Sequence, residues 1–123
     1  VGRMKDMVKR SGENIAAREV EAVLNQIDGI AESAVVPVPD IKRGEEVKAY
    51  VRLDEGTTPE TLPPDVIAQN CAEHLAAFKL PRYIEYIADF PRTPSKKIAK
   101  QKLIKETDDL ITGSFDRVQK EWR

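Results

Sequence analysis

The chain has 123 residues, 41% hydrophobic and 33% charged, with a formal net charge of -1, which fits one globular domain and argues against a dedicated nucleic-acid binder, since those carry a clear basic excess. One cysteine (Cys71) and one histidine (His74) exclude an internal disulfide and a structural Cys/His zinc site, and make a reducing, cytoplasmic setting the default. No apolar run approaches the roughly 20 residues that span a bilayer, and no stretch reads as a signal peptide. The opening Val1-Gly2-Arg3, without an initiator Met, reads as a cut inside a longer protein.

In chain order, Met4 to Lys9 alternate, Ser11-Gly12 make a turn, and Glu13-Asn14-Ile15 return, which predicts a short hairpin. Val20, Val23, Leu24 and Ile27 follow the i, i+3, i+4, i+7 spacing of an amphipathic helix, closed by Asp28-Gly29. Two strands come next. Ala34, Val36 and Val38 share a face of the first. Val47, Ala49, Val51 and Leu53 share a face of the second, with Lys48, Tyr50 and Arg52 opposite, and Pro39 to Gly44 form the turn between. After a polar loop, Ile67, Cys71, Leu75 and Phe78 mark a second helix that starts near Pro64 and is stopped by Pro81. Tyr83 to Ala88 reads as a third strand. A Pro-stiffened loop ends in Ser95-Lys96-Lys97-Ile98, and a last helix is expected over about 99–111, with Gly113 breaking it before an amphipathic tail bearing Phe115, Val118 and Trp122. The expected fold is α+β: an N-terminal β-hairpin and a short three-stranded sheet flanked by helices.

The residues offer no obvious nucleophile–base pair. His74 reads as a surface or packing histidine and Cys71 as core. The most unusual feature is a basic run: eight Lys/Arg between Lys79 and Lys105 against Glu85 and Asp89. It reads equally well as a solvated face or as a phosphate site, with Lys96-Lys97 at the end of a stiffened loop.

Four segments, taken together and in this order, resemble the C-terminal domain of the adenylate-forming superfamily of acyl-CoA synthetases, luciferases and peptide-synthetase adenylation domains. They are Gly2-Arg3-Met4-Lys5-Asp6 through Ser11-Gly12-Glu13-Asn14-Ile15; Arg43-Gly44-Glu45 with Lys48-Ala49-Tyr50-Val51; Phe78-Lys79-Leu80-Pro81-Arg82; and Pro91-Arg92-Thr93-Pro94-Ser95-Lys96-Lys97-Ile98. Carnitine/crotonobetaine-type, fatty-acid and other acyl-CoA ligases look most similar. The resemblance implies a mobile lid domain over 1–111, starting at the interdomain hinge, and a C-terminal tail over 112–123. It implies an acid–thiol ligase that makes acyl-AMP from ATP and a carboxylate, then transfers the acyl group to CoA. ATP, Mg2+ and CoA would be bound mainly with an N-terminal large domain outside this chain, and the isolated domain would be inactive.

Residue by residue, the resemblance assigns the adenylation lysine to Lys97, with Ile98 fixing the register, while Lys96 stands where the family usually has Gly. Lys5 matches the hinge position and Arg3 the linker arginine. Gly12 matches the glycine that lines the pantetheine tunnel, flanked by Glu13 and Asn14. Arg43, Phe78 and Arg82 lie where related ligases contact the CoA nucleotide, although a solvated turn residue, a core ring and a strand-edge charge are the alternatives. Two other readings stay open: the small domain of an enzyme that loads a carrier protein, and a non-enzymatic module binding an acidic partner through residues 79–105.

Overall fold

The computed structural model describes residues 6–105 and 109–123. The expected hairpin is present as β1 (Met7–Arg10) and β2 (Glu13–Ala16). Its two-residue turn places Ser11 at φ 52° and Gly12 at φ 85°, the pair of positive angles that matches the twist of the flanking strands. Helix α1 (Ala17–Leu24) follows. It is one residue short of including Asn25, so Ile27 reaches the core from the turn beyond the helix. β3 (Ile30–Asp40) and β4 (Gly44–Leu53) form a long antiparallel ribbon. Its turn is fixed by the Asp40 carboxylate, which accepts the backbone N–H of Lys42 (3.0 Å) and of Arg43 (2.8 Å). Helix α2 (Pro64–Ala72) has Pro in its first turn, a 3-10 turn spans Ala77–Lys79, and β5 (Tyr83–Tyr86) pairs in parallel with β4. The segment through α2 is the crossover that a parallel pair requires.

Strand alternation places Val35, Val47, Ala49, Val51 and Ile84 in one core with Val8, Ile15, Val20, Leu24, Ile67 and Cys71. Ala34, Val36 and Tyr50 lie in a second core with Phe90 and Leu103. The period-2 pattern read from the sequence is therefore correct, and both faces of the ribbon are covered. This is why Lys48 can be fully buried. Its ammonium sits 2.7 Å from Glu85, 2.6 Å from the Leu110 carbonyl and 4.2 Å from the Tyr50 ring centroid, so a buried cation has its charge and hydrogen bonds met.

The C-terminal part differs from expectation. Helix α3 (Lys100–Lys105) is described for six residues, and from Asp109 the chain is bends and turns rather than helix to 111. Asp109 accepts the N–H of Ile111 (2.9 Å) and the Thr112 hydroxyl (2.8 Å), a local alternative to helix. The expected tail is part of the sheet. β6 (Phe115–Asp116) pairs with β5, and β7 (Glu121–Trp122) pairs with β6. Asp116 fastens it. Its fully buried carboxylate accepts Nε (3.1 Å) and a terminal nitrogen (3.1 Å) of Arg82, Arg123 (2.7 Å), and the N–H groups of Val118 (3.0 Å) and Gln119 (3.1 Å).

Burial alone would raise the Asp116 pKa, but the hydrogen bonds from Arg82 and the two backbone N–H groups outweigh it and hold the carboxyl below its ordinary value. A carboxyl depressed on folding contributes stability above its unfolded pKa, and that stability is lost as pH falls through the folded value. The 123-residue chain is expected to unfold as one cooperative transition, with its midpoint falling as pH drops below about 4. Asp116→Asn keeps the shape and removes the charge. It should cost about 2 kcal/mol, roughly 8 °C in midpoint for a domain of this size, and flatten the acid limb. Calorimetry across pH would measure both.

Candidate functional site

The Lys97 loop is a hairpin in miniature. Arg92 and Ile98 form an antiparallel bridge. Inside it, the Thr93 N–H donates to the Lys97 carbonyl (2.8 Å) and the Lys96 N–H to the Thr93 carbonyl (2.8 Å). Lys96 has φ 69°. This is a three-residue loop whose last residue takes the left-handed region, the position that favours glycine. A lysine there costs about 1 kcal/mol in backbone strain. The Thr93 hydroxyl accepts the Lys97 N–H (3.2 Å). Lys96 and Lys97 are both exposed, and neither ammonium has a hydrogen-bond or ion-pair partner among the described residues.

The base of this loop is clamped from a distance. The Arg92 guanidinium bridges to both oxygens of Glu32, 3.0 Å to one of them, with further bonds to Asp89 (3.2 Å) and the Lys96 carbonyl (3.4 Å). Glu32 also accepts Arg52 Nε (2.9 Å). Hydrogen bonding from Arg92 holds the Glu32 carboxyl below its ordinary pKa and raises that of the guanidinium, so the pair stays ionised at neutral pH. Sequence reasoning missed Glu32: it lies 60 residues from Arg92, and no local pattern announces such a pair.

At the other end of the β3–β4 ribbon the β1–β2 turn docks on the β3–β4 turn. The Ser11 N–H donates to the Arg43 carbonyl (2.7 Å), and the Arg43 guanidinium lies 3.4 Å from the Ser11 hydroxyl. Gly12, Glu13, Asn14 and Arg43 are exposed. A Cβ built on Gly12 meets nothing within 4 Å, so this glycine answers to its φ of 85° and not to crowding within the domain. Arg82 is nearer this end. Besides its fork on Asp116, its free nitrogen lies 3.6 Å from Glu46 and 3.8 Å from Asp40. The structure thus brings Gly12, Glu13, Asn14 and Arg43 together, and spends most of the Arg82 guanidinium inside the fold. Phe78 is half-buried against the main core, its ring 5.7 Å from the Lys79 ammonium. From Glu32 to Asp40 is eight residues of strand, about 26 Å at the rise of a β-strand, so the Lys97 loop and the Gly12–Arg43 corner stand at opposite ends of one ribbon. Lys5 and Arg3 lie outside the described residues.

His74 is exposed in the turn after α2, and Cys71 is buried, its thiol pushed up to about 11 by desolvation. These placements match the sequence reading of His74 as a surface or packing residue and Cys71 as core. No helix among the described residues is long and apolar enough to cross a membrane.

Comparison with known proteins gives a consistent picture. The family described as AMP-binding enzyme C-terminal domain matches residues 19–97. A medium-chain acyl-CoA ligase, mitochondrial ACSF2 of Danio rerio, is 41% identical over 110 residues, 89% of this chain and 18% of that protein. Sulfoacetate–CoA ligase of Cupriavidus necator is 36% identical over 103 residues, 84% of this chain and 20% of the relative. Among solved structures, a Mycobacterium tuberculosis fatty acyl CoA synthetase superposes with TM-score 0.76 at 34% identity, covering 83% of this chain and 20% of that one. Apo MatB from Rhodopseudomonas palustris does so with TM-score 0.78 at 32% identity, covering 86% and 20%. The chain spans about a fifth of the length of each.

Proposed function

The chain belongs to the AMP-binding enzyme C-terminal domain family, and from that premise we propose that it is the lid domain of an ATP-dependent acyl-CoA ligase, with the stretch after residue 111 built into its sheet. The observation that carries the reading is the placement of Lys97: exposed, without an intramolecular partner among the described residues, and on a loop clamped at its base by Arg92 and Glu32. In the first step a carboxylate oxygen attacks the α-phosphorus of ATP, the bond to the bridging oxygen breaks, and its electron pair leaves with pyrophosphate. Negative charge builds on the phosphate oxygens, and a fixed cation there stabilises the transition state more than the ground state. In the second step CoA sulfur attacks the acyl carbon and AMP departs. The Gly12 turn, with Glu13 and Asn14 beside it, would line the path of the pantetheine arm, since a glycine backbone permits close approach. Arg43 and Phe78 would meet the nucleotide of CoA, the guanidinium by phosphate pairing and the ring by stacking. Arg82 would contribute only through the part of its guanidinium that Asp116 leaves uncommitted. Lys5, with Arg3 before it, would absorb the hinge rotation between steps.

The acyl pocket and most of the ATP site would belong to a large domain outside this chain. Mg2+ would accompany the ATP phosphates there; no group of His, Cys, Asp and Glu among the described residues is placed to hold a metal ion. The test is ATP–pyrophosphate exchange and acyl-CoA formation by the full-length enzyme across a panel of carboxylic acids, with CoA and a phosphopantetheinyl carrier protein compared as acceptors. Transfer to the carrier protein alone would overturn the CoA assignment.

Glu32 should act through Arg92. Glu32→Gln keeps the shape but weakens the clamp. Because the pair is partly solvated, its effect is discounted for screening, and adenylate formation should fall about three- to tenfold with thioester formation from supplied acyl-adenylate unchanged. Equal losses in both half-reactions would show a general structural defect instead.

A further inference from the structure

The tip of the Lys97 loop combines a strained backbone with two cations that no group among the described residues neutralises. Lys96 holds φ 69°, where a side chain is disfavoured and glycine is preferred. Lys96 and Lys97 are consecutive, so the tip carries two ammonium groups on neighbouring residues. The carboxylates nearest in the loop's own network, Glu32 and Asp89, are already taken up by Arg92. Neither lysine reaches a carboxylate among the described residues, although both are exposed and free to turn. Two uncommitted cations thus stand on neighbouring residues of a loop held at its base, and a ligand with several negative charges would make use of both.

We propose that Lys96 is a second anion-binding residue of this loop, holding the β,γ-phosphates of ATP and the departing pyrophosphate while Lys97 faces the α-phosphate. This rests on the reading of Lys97 as the adenylation lysine. When the bond between the α-phosphorus and its bridging oxygen breaks, the electron pair stays with pyrophosphate, so charge grows on that half of the molecule as well. One residue separates the two stems, and a lysine is a compact point charge on a flexible stem. Two such charges, each with its own reach from a clamped base, can therefore be shared between the two halves of one triphosphate.

The experiment uses Lys96→Gly in the full-length enzyme. Glycine is the residue the backbone angle prefers, so the substitution removes the charge without threatening the loop. In ATP–pyrophosphate exchange the KM for pyrophosphate is expected to rise about fivefold, the scale of one screened charge contact. The KM for the carboxylate and the rate of thioester formation from supplied acyl-adenylate should not change. Lys96→Arg keeps the charge and the strained angle, and should keep the wild-type pyrophosphate KM. An unchanged pyrophosphate KM in Lys96→Gly overturns the proposal, as does an equal rise in the glycine and arginine variants, which would trace the effect to shape. Failure of the underlying reading looks different: exchange would then survive Lys97→Ala.

Discussion

Lys97→Ala in the full-length enzyme is expected to lower adenylate formation by roughly 10²–10³-fold, the usual loss when one preorganised electrostatic contact to developing charge is removed. The fold should not register the change, because the side chain is exposed and its ammonium bonds to nothing among the described residues. The isolated variant domain should melt within about 0.5 kcal/mol of the parent. Thioester formation from chemically supplied acyl-adenylate should survive, since the lysine stands at the end of the ribbon away from Gly12. Lys97→Ala with near-normal exchange, alongside a Lys96 variant that has lost it, would shift the motif by one residue. Activity in both would end the reading of this loop.

Gly12→Leu should give the mirror result: exchange retained, and acyl transfer to CoA reduced by a comparable factor. The space around Gly12 makes this test informative. An added Cβ meets nothing within 4 Å in the domain itself, so a large side chain points into the region proposed for the pantetheine arm and not into the core. The φ of 85° adds a cost of about 1–2 kcal/mol for a side chain. Gly12→Asn, whose residue tolerates that angle better than most, separates backbone strain from blockage. Asparagine is close to leucine in size, so a blocked tunnel should show in both variants; if leucine impairs transfer and asparagine does not, the angle is what matters and the tunnel assignment fails. Single-turnover thioester formation, followed by acyl-CoA appearance, reads the difference.

Much of the ribbon and its surroundings was legible from sequence because its signals are local. Period-2 alternation in 34–38 and 47–53, the glycine in the first hairpin turn, proline at the start of α2 and proline after Leu80 each act within a few residues. The Lys97 loop was legible for the same reason: Pro91 and Pro94 stiffen it within a few residues. What was missed depends on partners far apart in the chain. Arg82 read as a strand-edge charge or a nucleotide contact because its partner Asp116 lies 34 residues on, in a stretch that reads as an amphipathic tail. Phe115 and Trp122 pack edge to face at 5.4 Å across β6 and β7, and their spacing resembles an amphipathic surface until β5 supplies an edge for them. Lys48 carried no mark of burial, since Glu85 and the Leu110 carbonyl come from other elements. The last helix was read too long because Asp109 bonds its own backbone locally.

The β3–β4 ribbon has a consequence for the order of events. A backbone ladder fixes the length between the Lys97 loop and the Gly12–Arg43 corner, and no side-chain rearrangement shortens it. On the proposed reading the two ends take turns at one active site, the lysine end while the α-phosphorus reacts and the glycine end while the acyl carbon does, so they exclude each other by geometry. CoA then has no route to the acyl group until the lysine end has withdrawn, and pyrophosphate is free to leave before the thiol arrives. Sequencing of the two chemistries follows from a rigid spacer alone, without any signal passing through the domain. Its kinetic signature would be parallel initial-velocity lines when CoA is varied at several fixed ATP concentrations.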